Sequence, residues 1–430
     1  MTMSTDPSAA VVAQEDTFLV NESVYHDRGI FALEMQRIFS STWVYVAHES
    51  ELPDPGDYRT SVIGIKPVIV SRDQDGEIHV LLNRCMHRGA VVCRTERGHS
   101  NHFRCPYHNW VYSNDGALQG VAQKSGYPAD FDTPRLDMMH AARVGTYRGL
   151  IFASMTDDVE PLEVRLASVS KYIDFWCNLS PSGAIRLGEN VHRVRYPGNW
   201  KLQVENSVDG YHGNYIHESY AKVLEKSGER TQRDVTRARN SQSPNNNAKA
   251  LKNGDGLLQR EGGTLNSFDF SAYPGYVAQL EEAHGAEATK HILMQRGISI
   301  FPNLALFESN LRVVRPISPD ESIVDNHPVI LDGAPDELNA RRLSNNERFF
   351  SSASFADPDD VEAFVLVQTG TTADGTAWLD FSRGLHREKM NEEGELVGHS
   401  TDETPQRAIY KEWQRLMAEA SDNGGKRAKH

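Results

Sequence analysis

The chain has 430 residues, 39% of them hydrophobic, which is enough for two or three domains with real cores. Its formal net charge of −14 argues against nucleic-acid partners and anionic membrane surfaces, and no apolar run reaches the roughly 18 residues of a membrane span. Four cysteines (Cys85, Cys93, Cys105 and Cys177) are too few for a disulfide framework and predict a cytoplasmic setting, where thiolates stay free for metal.

Residues 1–17 (MTMSTDPSAAVVAQEDT) have neither the basic start nor the apolar stretch of a signal peptide, and predict a polar, poorly ordered tail. Residues 25–42 carry Ile30, Leu33, Ile38 and Phe39 at helical spacing. From Trp43 to Phe152 the texture is β. The runs SVIGI, PVIVSR, IHVLLN, WVYS and GLIFAS are split by the turn signals DPGD, DQDG and SNDG, which predicts a compact all-β domain. A linker near Thr156–Pro161 follows. Beyond it the spacing predicts a helical stretch over 162–177, a strand segment over 185–197 and a long helix over 200–222. The polar stretch 225–264 reads as a long surface loop, either a lid or a disordered segment. Residues 297–317 read as paired strands. Thr404 and Pro405 open a helix whose face carries Ile409, Trp413, Leu416 and Met417, and the tail SDNGGKRAKH is expected to fray.

Two constellations carry chemistry. The first is Cys85-x-His87 followed by Cys105-x₂-His108. Two loops that each offer a thiolate and an imidazole can hold a two-iron cluster, with both sulfurs on one iron and both nitrogens on the other. The rival is a tetrahedral zinc site, for which Cys-x-His is tight spacing. Gly89 permits close backbone approach in the first loop, and Pro106 stiffens the second. Cys93 reads as a small buried residue, and His99 and His102 as loop polars. The second constellation is His212 and His217. On one straight helix five residues turn about 500°, leaving the two rings about 140° apart, so the helix must deform or end between them, and Gly213 and Asn214 make that plausible. Asp209, three residues before His212, shares its face. His-x₄-His alone fits surface histidines as well as it fits metal.

The segments CMHRG and CPYHNWVYSNDGALQGV, bordered by WVYVAHESELPDPGDYRT and GLIFASM, resemble the Rieske domain of ring-hydroxylating oxygenases. NWK, EN, DGYH and the later His217 look like the mononuclear-iron helix of the same family. The resemblance covers residues 18 to 418. It implies an α+β fold in which an all-β Rieske domain (43–160) stands before a catalytic domain (161–430) with a central antiparallel sheet flanked by helices. Residues 18–42 would form a helix packing on the catalytic domain. It implies a [2Fe–2S] cluster on Cys85, Cys105, His87 and His108, with Trp110 packed beside it. It also implies a mononuclear Fe(II) on His212, His217 and a downstream acid, which aligns with Asp360 in FADPDDVEAF, with Asp359 as the alternative. Asp209 would hydrogen-bond His212 and, across a subunit boundary, His108 of a neighbour in a homotrimer.

The implied activity is hydroxylation of an aromatic ring, mono- or di-, with O₂ as co-substrate. No G-x-G-x-x-G follows a strand, so an NAD(P)H-dependent reductase, with or without a ferredoxin, must supply the electrons. A small β subunit (α₃β₃) is a further partner of many relatives. ADPDDVEAF, TAWLDFSRG and ETPQRAIYKEWQRLM look most like the benzoate, anthranilate and salicylate branch. A carboxylate substrate needs a cation, and Arg296, Arg312 and Arg315 lie near the predicted strands, although a surface charge is the first expectation for each. The alternatives are an oxygenase of neutral arenes or anilines, a Rieske electron-transfer protein without oxygenase activity, and a zinc-binding interaction module.

Overall fold

The computed structural model describes residues 6–128, 131, 134–228, 245–261, 268–373 and 378–418. It divides into two compact units, Phe39–Arg165 and Met1–Ile38 with Leu166–His430. Among the described residues no helix is long and apolar enough to cross a membrane.

The Phe39–Arg165 unit is built from strands. Asp57–Ile63, Lys66–Arg72 and Ile78–Leu82 form an antiparallel meander, with Arg97–His99 on the free edge of the first. His102–Arg104, Val111–Ser113 and Leu118–Gly120 form a second sheet, and Val44–His48 joins Arg143–Tyr147 and Leu150–Ser154 in a third. Its core gathers Ile69, Leu81, Phe103, Trp110, Tyr112 and Met138 around Cys85, Cys93 and Cys105. Apolar burial of this kind drives the collapse. The collapse also carries the three thiols inward.

The other unit is organised by a ten-stranded antiparallel sheet. Its central order is Glu321–Leu331, Asn310–Ser318, Leu304–Phe307, Gln295–Ile300, Gly256–Arg260, Asn247–Ala250 and Leu396–His399. The α+β class with a central antiparallel sheet is therefore as expected. The helix over 200–222 is interrupted between His212 and His217, as their spacing requires, and already breaks after Asn206: it runs as Trp200–Asn206, a short turn at His212–Asn214 and Glu218–Lys226. Three local expectations fail. Within the loop expected over 225–264, Asn247–Ala250 and Gly256–Arg260 form an interior hairpin; residues 229–244 and 262–264 lie outside the described residues. Within the tail expected over 1–17, Val11–Ala13 pairs with Phe18–Asn21, and Gln414 Nε2 donates to the carbonyls of Ser8 and Val11 at 2.8 Å each. The helix expected over 18–42 begins only at Arg28, running as Arg28–Glu34 and then a wider turn over Met35–Phe39. The C-terminal helix is Thr404–Ala418, and the tail SDNGGKRAKH lies outside the described residues.

One buried polar knot ties the helix Trp200–Asn206 to both ends of its unit. Glu34 accepts from Lys201 Nζ at 2.6 Å and Trp413 Nε1 at 2.7 Å on one oxygen, and from Trp200 Nε1 at 2.9 Å on the other. Glu34 and Lys201 are both 0% exposed. Removing one partner of such a pair strands a buried charge, which costs about 3–5 kcal/mol. The NWK signature is thus a structural anchor for the segment that follows it.

Candidate metal centres

In the strand-built unit two loops close in the same way. The Cys85 amide donates to Ala90 O and the Gly89 amide to Cys85 O; the Cys105 amide donates to Trp110 O and the Asn109 amide to Cys105 O. Each loop needs a left-handed residue at its fourth step. Gly89 (φ +75°) supplies the first, and Asn109 (φ +58°), a residue type that tolerates this region, supplies the second. Gly89 is legible in the sequence as a turn glycine, whereas Asn109 carries no such mark. The closures set Cys85 and Cys105 inward and His87 and His108 at the half-exposed tip. The two imidazole centroids lie 4.6 Å apart, and Trp110 stacks on His87 at 4.8 Å and 8°. The cysteines are free thiols. Burial and the adjacent Cys105 sulfur push the Cys85 thiol up, while Tyr112 Oη, 3.3 Å from Cys85 Sγ, pulls the other way. His87 Nδ1 is buried without a hydrogen-bond partner. Paired thiols facing paired imidazoles, with a stranded ring nitrogen, fit a two-iron cluster. Cys93 is buried and donates weakly to Thr95, His99 is exposed beside Asp57, and His102 is exposed; none of the three joins the four.

In the sheet-built unit the chain turns sharply after Asn206. Asp209 makes the turn by accepting the amides of Tyr211 at 2.5 Å and His212 at 3.3 Å on Oδ1. Gly210 is obligatory there, because a Cβ would lie 2.0 Å from Ser400 O. Arg260, at the end of the unforeseen hairpin, donates to Gly210 O at 2.7 Å and holds the turn from outside. His217 then stands at the N-terminal boundary of the helix Glu218–Lys226, its side chain making no capping hydrogen bond. Asp360 comes from the first turn of the helix Asp357–Gly370, whose buried face is Asp357, Asp360, Phe364 and Gln368. Asp359 points away and accepts from Ser219 Oγ at 3.0 Å.

The result is convergent. His212 Nε2 and His217 Nε2 each lie 3.5 Å from Asp360 Oδ1, and one ligand atom from each residue falls within 4.8 Å of the others. Asp360 Oδ1 is buried and accepts no hydrogen bond. A carboxylate oxygen left unsatisfied between two imidazole nitrogens fits a divalent cation held by a two-histidine, one-carboxylate face. His212 Nδ1 lies 3.3 Å from Asp209 Oδ2, the usual arrangement by which a carboxylate orients a ligating imidazole. Burial opposes charge on His212, yet Asp209 and Asp360 outweigh it and hold its pKa up. Burial also opposes charge on Asp209, and His212 and the turn amides hold it down. At His217 burial wins over Asp360 and favours the neutral ring. Asn206 Nδ2, from the EN motif, sits 3.3 Å from His212 Nε2.

Glu205, largely enclosed beside this turn, accepts from Tyr25 Oη at 2.9 Å and Tyr410 Oη at 2.6 Å. Burial pushes its carboxyl up to about 7. The folded state therefore holds this proton more tightly than the unfolded chain. The stability it contributes is complete below the ordinary value of 4.5 and is lost as pH rises through 7. Glu205→Gln removes the charge that must be buried at high pH. Thermal melts should show the variant more stable than wild type at pH 8, on the order of 2 kcal/mol, with the gap closing by pH 5. A gap that is equal at both pH values would contradict this.

The three arginines expected first as surface charges differ. Arg315 is partly exposed and paired with Asp325 at 2.9 Å, but Arg296 and Arg312 are buried. Sheet pairing put them inside, which spacing along one strand could not show.

Residues 42–133 match the Rieske [2Fe-2S] domain family, and residues 185–419 match the ring hydroxylating alpha subunit family over its catalytic domain. The toluate 1,2-dioxygenase alpha subunit of Pseudomonas putida is 35% identical over 86% of this chain and 82% of its own. The anthranilate 1,2-dioxygenase large subunit of Acinetobacter baylyi is 31% identical over 87% and 82%. A solved structure of naphthalene 1,2-dioxygenase with indole bound in the active site shares the fold, with a TM-score of 0.84 over 95% of this chain and 93% of that one, at 24% identity.

Proposed function

The chain belongs to the ring-hydroxylating alpha subunit family, and from that premise we propose that its substrate is an aromatic acid of the benzoate type, converted to a cis-diol. Family membership makes it a terminal oxygenase with a [2Fe–2S] cluster, a mononuclear iron and O₂ as co-substrate. It also sets aside the zinc-module and pure electron-transfer alternatives. The balanced reaction takes the arene, O₂, two electrons and two protons to the diol, so an external reductase is required. The substrate class follows the relatives named for toluate and anthranilate.

The observation that carries the site assignment is the unsatisfied Asp360 Oδ1 between His212 Nε2 and His217 Nε2. We assign these three as iron ligands and Cys85, Cys105, His87 and His108 as cluster ligands. When bound, the mononuclear iron supplies O₂ activation and the cluster stores electrons. The chain's own groups do the rest. Asp209 fixes the ring plane of His212, and Phe349, 5.2 Å from the His217 ring, gives the site an apolar wall that excludes water. On the same reading Phe39–Arg165 is the Rieske domain and the remainder the catalytic domain. Asp209 would reach His108 of a neighbouring copy in a trimer, with or without a β subunit. Free cysteines throughout support a cytoplasmic setting.

The test is oxygen uptake with a surrogate reductase against benzoate, toluates, anthranilate and neutral arenes, alongside metal analysis. Iron and acid-labile sulfide are expected at about three to two, and uptake with the acids. Robust uptake with hydrocarbons and none with any acid would overturn the substrate class.

A further inference from the structure

Several arginines are buried in the sheet-built unit, and most are visibly spent. Arg296 donates from Nε to Gln259 Oε1 at 3.0 Å and from Nη1 to Met294 O at 3.2 Å. Arg407 donates from Nη1 to the carbonyls of Phe381 at 2.6 Å and Arg383 at 2.9 Å, and from Nη2 to Glu388. Those side chains brace the backbone.

Arg312 is different. It is 1% exposed. Its Nε donates to Asn326 Oδ1 at 2.9 Å, and its Nη2 reaches Asp357 Oδ1 only at 3.5 Å. It makes no other hydrogen bond among the described residues. A guanidinium has five N–H groups in a fixed fork, and Nη1 of this one takes up no hydrogen bond to the described residues. Asp357 is its counter-ion, but at 3.5 Å the contact is longer than the roughly 2.7–2.9 Å of a well-formed charge-assisted bond.

Its location relates it to the mononuclear site in two ways. Asp357 and Asp360 stand three residues apart on one buried helix face, so Arg312 meets the ligand turn itself. Its Cζ also lies over two rings, 5.0 Å from the Phe307 centroid and 5.3 Å from that of Phe350. Phe350 is 4.6 Å from Phe349, and Phe349 is 5.2 Å from the ligand ring of His217. An aromatic wall therefore runs from the proposed iron ligands to a cation with spare donors. A planar aromatic acid has that pattern of chemistry, a ring for the wall and a carboxylate for the fork.

Resting on the aromatic-acid reading above, we propose that Arg312 binds the substrate carboxylate and thereby sets the preference for acids over neutral arenes. Arg315 shares Asp325 with Arg193, and Arg296 is held by Gln259 and the Met294 carbonyl; of the three, Arg312 is the one that lies over the Phe307 and Phe350 rings.

The experiment compares benzoate with nitrobenzene, its neutral isostere, in the complete oxygenase system. Arg312→Leu should raise KM for benzoate roughly 10- to 100-fold, the loss expected for a charge-assisted pair, and leave KM for nitrobenzene within about threefold. Arg312→Lys should recover part of the benzoate affinity. Calorimetric titration of benzoate into iron-depleted protein should show the same loss. If Arg312 only braces the Asp357 turn, both substrates suffer alike, and that result overturns the proposal. Should the leucine variant precipitate, Arg312→Gln and Arg312→Lys read the same ratio. A wild-type enzyme that ignores benzoate overturns the substrate class and this assignment together. A wild type that uses benzoate, with a leucine variant that keeps its preference for it, overturns Arg312 alone.

Discussion

Asp360→Ala is expected to yield a red-brown protein that keeps its cluster, loses its mononuclear iron and takes up no oxygen. Asp360 supplies the single carboxylate of the convergent trio, from the buried first turn of a helix whose outer acid, Asp359, is already bonded to Ser219. No other acid among the described residues joins His212 and His217 in such a group, so nothing nearby can replace it. Even residues that only touch a ligand change metal affinity by about 10–100-fold. Loss of a ligand itself should exceed that, and activity should fall with iron occupancy. Asp359→Ala is the matched control and should bind iron normally, since it loses one surface hydrogen bond. Iron analysis, visible absorption and an oxygen electrode separate the outcomes. Full mononuclear iron in Asp360→Ala, or iron loss in Asp359→Ala instead, would reverse the ligand assignment.

The contrast between these neighbouring acids shows what a sequence can and cannot reveal. Resemblance aligned the acidic pair and favoured Asp360, but only the helix phase shows why, because Asp360 shares its face with Asp357 and Phe364. The cluster loops were legible because their geometry is local: each thiol and imidazole lies within one closed turn. Asn109 was missed because a left-handed asparagine has no spacing signature. The hairpin Asn247–Ala250 and Gly256–Arg260 was missed for a different reason. Its strands are short and rich in polar and small residues, and they are strands because Gln295–Ile300 and Leu396–His399 pair with them from either side. Arg260 was hidden with it. Arg312 was misjudged as a surface charge for the same reason, since its burial is set by the strands beside it and by a helix that begins 45 residues later. Local chemistry reads out from local sequence, whereas burial imposed by pairing across a sheet does not.

Asp209→Ala is expected to retain both metal centres and still lose turnover by about 100-fold or more. Iron should remain because all three proposed ligands survive, and Asp209 contacts only the far side of one of them, Nδ1 of His212. Activity should fail for two physical reasons. The carboxylate sets the tautomer and ring plane of His212, and a ligand imidazole without its partner swings. Asp209 Oδ1 also accepts the amides of Tyr211 and His212, so its loss loosens the turn that Gly210 and Arg260 hold. Asp209→Asn should fail as well, because an amide N–H presented to His212 Nδ1 repels the proton that the carboxylate accepts. A variant with normal iron and a normally reducible cluster, but product formation near zero even in a single turnover, would place the defect between the two centres. Loss of the mononuclear iron would make Asp209 a structural support for the site, and near-normal activity would remove it from the reaction. The carboxylate is held ionised by His212 and its turn amides, so the charge it presents should persist across the neutral range. Between about pH 6 and 8, therefore, the defect in either variant should stay constant, and a defect that vanished at one end would require a different protonation state at this turn.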